Sequence, residues 1–149
     1  MRPCRGLVPA LVLALALAAP AAAKTPIPGL LSPSGNIRCL EVPGPPALLL
    51  CSLGHADYGA ALQRRCLGPD GMGVDWHGFS LAATGRGQVL CSGGILWSPG
   101  TQRPVYTTVA YGAAWRAGPF TCRSRTTGVT CTNGAGHGLF LARASWRAW

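Results

Sequence analysis

The chain has 149 residues, 48% of them apolar, with 13 Lys and Arg against 4 Asp and Glu and a formal net charge of +9. That length fits one domain, the apolar fraction is too high for a disordered chain, and 21 Gly and 13 Pro without a three-residue period exclude a collagen-like fibre. Four acidic side chains are too few for most chemistry built on paired carboxylates or oxygen-ligand cation cages.

Arg2 and Arg5 precede an uncharged stretch over 6–23 that is centred on LVLALALAA and ends in Ala21, Ala22 and Ala23 before Lys24. A basic segment, an apolar segment and an A-x-A site in that order predict a secretory signal peptide over 1–23, cleaved near Ala23. A spanning helix is the rival reading, but Pro9 and Pro20 interrupt the stretch and no transmembrane anchor is expected after cleavage. Residues 24–149 then form a single secreted β domain, periplasmic or extracellular. Cleavage removes Cys4 and leaves an even set of cysteines in an oxidising compartment, where thiols pair.

Glycines and prolines recur too often for long helices, so short runs of Val, Thr, Ile and Leu between turn signals predict an all-β fold. The first two strands are expected at 35–41 and 47–52, folded about Pro43-Gly44-Pro45-Pro46 so that Cys39 faces Cys51. One short helix is expected over Ala60–Leu67, AALQRRCL, which carries Cys66. Further strands are expected at 78–83, 87–92, 104–110, 118–124, 128–133 and 138–143. Folding FTCRS and VTCTN about Arg125–Gly128 sets Cys122 opposite Cys131, which leaves Cys66 with Cys91. Short strands at this spacing, with three bridges, indicate a small disulfide-stapled sandwich or barrel of antiparallel strands. The two bridged hairpins resemble each other, a hint of internal duplication. No Cys-x-x-Cys pair occurs, and His55, His77 and His137 have no ligand spacing to a cysteine, so neither metal nor cofactor is expected.

SPSGNIRC over Ser32–Cys39, DWHG over Asp75–Gly78 and AYGAAWRAGPFTCRSRTTGVTCTNGAGHGLFLARASW over Ala110–Trp146 resemble an uncharacterised family of secreted bacterial domains with no assigned activity. The resemblance implies secretion, β structure and three disulfides, and supplies no catalytic residues. In two places the chain departs from that pattern. His77 separates Trp76 from Gly78, and the Ala60–Leu67 run stands where a proline-rich stretch is expected.

Charge is the clearest functional lead. Residues 24–149 carry Lys24 and ten arginines against Glu41, Asp57, Asp70 and Asp75, and no acid follows Asp75. Arg123 and Arg125 alternate with Cys122 and Ser124, which puts both on the solvent side of their hairpin. The candidate binding residues are Arg123, Arg125, Trp115, Arg116, His137, Arg143 and Trp146. They suit an anionic envelope polymer or an acidic protein; nothing resembles a nucleic-acid motif. The expected function is a secreted, non-catalytic binding module, with a small secreted hydrolase or an inhibitor of a hydrolase as alternatives. No G-x-S-x-G elbow occurs, and no catalytic residue is assigned. A pocket holding His77 or His137 beside an acid would favour the hydrolase.

Overall fold

The computed structural model describes residues 24–94, 100 and 102–149; the expected signal peptide lies outside them. The strands are β1 (Thr25–Leu31), β2 (Ile37–Val42), β3 (Leu48–Leu53), β4 (Asp75–Ala82), β5 (Gly87–Ser92) and β6 (Gln102–Thr108), then β7 (Ala114–Ala117), β8 (Phe120–Arg125), β9 (Gly128–Thr132), β10 (Gly138–Leu141) and β11 (Trp146–Ala148). The one helix among the described residues is α1 (Gly59–Leu67). Six strands form a sheet in the order β5-β4-β3-β2-β1-β6, and five form a second in the order β11-β10-β9-β8-β7. The result is the expected small all-β sandwich.

Alternation builds the core from both sheets. Leu30, Ile37, Leu49, Phe79 and Leu81 meet Trp115, Phe120, Val129, Leu139 and Leu141 in one buried cluster. At its centre are two cross-strand disulfides, Cys39–Cys51 with Cα atoms 4.1 Å apart and Cys122–Cys131 with Cα atoms 4.0 Å apart. The sulfur atoms of Cys39, Cys51 and Cys131 lie within 4.8 Å of one another, so the two bridges join across the sandwich. Paired as disulfides, they offer no thiolate to a metal. The third disulfide, Cys66–Cys91, ties α1 to β5. Tyr58, Trp76, Phe79 and Trp146 close that end of the core, with Phe79 and Trp146 centred 5.0 Å apart. Burial pushes the Tyr58 phenol up to about 12, and its hydroxyl donates to the Ala142 carbonyl at 3.1 Å.

Three strands, β1, β7 and β11, are absent from the sequence reading. Pro26 and Pro28 speak against a strand, yet β2 pairs with β1 only from Gly29 onward, so both prolines lie where one edge is open. β1 also pairs with β6 in parallel, a departure from an all-antiparallel sandwich. The strand expected at 118–124 starts instead at Phe120, because Gly118, at φ +48°, and Pro119 turn the chain between β7 and β8. The strand expected at 138–143 stops at Leu141.

The additional His77 has a structural account. Trp76 pairs with Cys91 and Gly78 with Leu90, so His77 is the extra residue of a β-bulge. Gly78 follows with φ +116°, and a Cβ there would come within 2.1 Å of the Cys51 carbonyl oxygen.

The glycine-rich motifs are turns held by polar side chains, of which Ser32 and Asn133 are buried. Ser32 Oγ accepts from the Ile37 amide at 3.0 Å, and Asn36 bonds both the amide and the carbonyl of His55. Asn133 donates to the Ala82 and Gly85 carbonyls, each at 2.8 Å, and accepts from the Ala135 and His137 amides. That side chain fixes the β9–β10 turn and ties it to the opposite sheet.

Candidate functional site

On the five-stranded sheet the register sets two rows of outward side chains. Ala114, Arg123, Thr130, Phe140 and Arg147 lie in line across all five strands. Arg116, Thr121, Thr132 and Gly138 form the next row, and Arg125 stands beyond the first, opposite Gly128. Arg116, Arg123, Arg125 and Arg147 are exposed, and residues 114–149 contain no Asp or Glu. The Arg147 guanidinium carbon lies 5.1 Å from the Trp149 ring centroid, and that ring occupies the space where a Gly138 Cβ would be. The outcome is a cationic face with a threonine strip and an aromatic end, a combination that pairs with anions through guanidinium groups and with polar chains through hydroxyls.

The seven candidate binding residues do not all share this face. Arg116, Arg123 and Arg125 are on it. Trp115 and Trp146 point inward: Trp115 is 9% exposed, on the side of its paired Cys122, and Trp146 packs on Phe79. His137 sits in the β9–β10 turn, where its amide is held by Asn133. Arg143 lies beyond β10, its Nε donating to Asp57 Oδ1 at 3.1 Å. The Arg143 hydrogen bond, with His55 contributing less, holds the Asp57 carboxyl below its ordinary range.

Thr121, Thr130, Thr132, Phe140, Arg147 and Trp149 were not singled out from the sequence as binding residues. For the threonines the signal was present, since setting Cys122 opposite Cys131 also sets Thr121 opposite Thr132 and Arg123 opposite Thr130. Phe140 joins the row through the pairing of β10 with β9, and Arg147 only through β11, a strand of 3 residues.

The outer face of the six-stranded sheet differs. Leu40, Leu50 and Leu90 line a groove of about 560 Å³ with Arg38, Asp75, His77 and Tyr106. The Tyr106 ring lies across Gly29, where a Cβ would approach it to 2.5 Å. His77 and Asp75 share this groove without bonding to each other. His77 Nε2 is 3.1 Å from the Ser92 carbonyl oxygen, and Asp75 Oδ1 accepts from Gln63 Nε2 at 3.0 Å.

A model described as a family of unknown function, DUF6636, matches residues 9–147. No curated protein and no solved structure matches the chain.

Proposed function

The chain belongs to this family of unknown function, and we propose that it is a secreted, non-catalytic module that binds an anionic polymer of the cell envelope or extracellular space on the outer β7–β11 face. The register carries the reading: it turns Arg116, Arg123, Arg125 and Arg147 to one side of a sheet whose strands hold no acid. Three disulfides support formation in an oxidising compartment, and no helix among the described residues is long and apolar enough to cross a membrane. The test is binding of the purified, disulfide-bonded protein to polygalacturonate and polyphosphate, with neutral dextran as the control. A polyanion should bind, dextran should not, and binding should weaken as salt shortens screening to about 8 Å. Equal retention on dextran, or binding indifferent to salt, would contradict the reading.

One observation favours the hydrolase as a second reading, because His77 and Asp75 line the same groove. Hydrolysis that His77→Ala abolishes would establish it.

A further inference from the structure

The motif SPSGN and the β8–β9 turn meet at one end of the sandwich. A pocket of about 140 Å³ lies between them, and its polar lining is Ser34, Tyr111, Arg125, Thr126, Thr127 and Arg143, beside the buried Ser32 and the half-buried Asn36, both already committed to the turn. Two arginines and four hydroxyl-bearing residues, all exposed, therefore line a space the size of one small polar group, and no carboxylate lines it. Asp57 fixes Arg143 through Nε alone, and a guanidinium carries five N–H donors, so four are not used by that bond. Ser34 is oriented by its contacts, with Oγ 3.1 Å from Ser32 Oγ and 3.4 Å from the Asn36 amide.

We propose that this pocket binds a single tetrahedral oxyanion, a phosphate or sulfate group, between Arg125 and Arg143 with the Ser34, Thr126, Thr127 and Tyr111 hydroxyls as further donors. A tetrahedral oxyanion presents acceptors in several directions, which suits donors arriving from two loops and from Tyr111; a planar carboxylate presents two. The inference deepens the polyanion reading and rests on it in one respect. Arg125 belongs both to the pocket and to the outer face, so a phosphorylated or sulfated polymer lying on that face would seat one such group here.

The test is titration of isotope-labelled protein with inorganic phosphate, inorganic sulfate and acetate at constant ionic strength, followed by amide chemical shifts. Phosphate or sulfate should give saturable shifts at Ser34, Gly35, Thr126, Thr127 and Gly128, binding roughly tenfold tighter than acetate, about 1.4 kcal/mol. Whether phosphate or sulfate binds tighter identifies the group carried by the natural ligand. Arg125→Gln and Thr127→Val should each weaken binding several-fold, whereas Arg86→Gln, at an exposed arginine between β4 and β5 that lines no part of the pocket, should not. Absence of saturable shifts at these amides, acetate binding as tightly, or affinity unchanged in Arg125→Gln and Thr127→Val would overturn the proposal. The two readings fail separately. Oxyanion binding here without polyanion binding would remove the outer-face function and leave the pocket, and polyanion binding without pocket shifts would do the reverse.

Discussion

The β2–β3 hairpin and the β8–β9 hairpin are built alike on the inside and differently on the outside. Each closes with a cross-strand disulfide facing the core, and the two bridges meet at the centre of the sandwich. Outward, β2–β3 presents Arg38, Leu40, Leu50 and Ser52 to a largely apolar groove, whereas β8–β9 presents Thr121, Arg123, Arg125, Thr130 and Thr132 on a face free of acid. The inward residues answer to packing, which demands the same thing of both hairpins. The outward ones are free of that demand, so the difference between them is where specificity can reside.

The sharpest way to break the symmetry of the insides is to remove each bridge in turn. Cys39→Ala/Cys51→Ala and Cys122→Ala/Cys131→Ala should each cost about 3 kcal/mol from chain entropy, with a further loss for the core volume given up. Cys66→Ala/Cys91→Ala removes the bridge that closes a longer loop, 25 residues in separation against 12 and 9, and on entropy alone would cost the most. Cys91 is exposed, however, so the two core bridges should prove the costlier in denaturant unfolding.

The outsides are separated by charge. Arg123→Gln/Arg125→Gln should weaken polyanion binding roughly tenfold, about 1.4 kcal/mol, while Arg38→Gln on the other hairpin leaves it within about twofold. Thermal midpoints near wild type would show that both variants fold, since surface changes usually shift stability by under about 0.5 kcal/mol.

A smaller effect should follow deletion of His77. Removing the bulge residue lets Trp76 and Gly78 pair continuously with Cys91 and Leu90, so the deletion should fold and cost under about 1 kcal/mol while removing the imidazole from the groove. Complete loss of folding would show that the bulge is needed by the sheet.

The smallest effect concerns Glu41, on the inward side of β2 against the Gly118 turn, where a Gly118 Cβ would lie 3.0 Å from its Oε1. Burial raises its carboxyl above 4.5, so the folded protein keeps the proton where the unfolded chain has lost it. Stability from this group is therefore present at low pH and declines as pH rises from 4.5 through the raised value. Glu41→Gln should remove that decline and raise the melting midpoint slightly at neutral pH.

Much of this architecture was legible in the sequence because it is local. Cys122 and Cys131 flank a four-residue turn, and the same count that pairs them sends Arg123 and Arg125 outward. Trp115 shows where local reading stopped. Residues 111–117 read as a loop between two strands, and only pairing with β8 reveals that Trp115 shares the inward side with Cys122. β11 owes its place to pairing with β10, and β1 to parallel pairing with β6, so neither has a signal of its own. The oxyanion pocket joins loops about 90 residues apart and could not be seen before the fold.

The most direct test of the central claim is to map a polyanion onto the protein by amide chemical shifts, with polyphosphate or polygalacturonate as the ligand. If the outer face of the five-stranded sheet is the binding surface, perturbations should concentrate at Arg116, Thr121, Arg123, Arg125, Thr130 and Thr132 and fade together as salt is raised. Perturbations confined to Arg38, Leu50, His77 and Leu90, or spread evenly over both sheets, would contradict it.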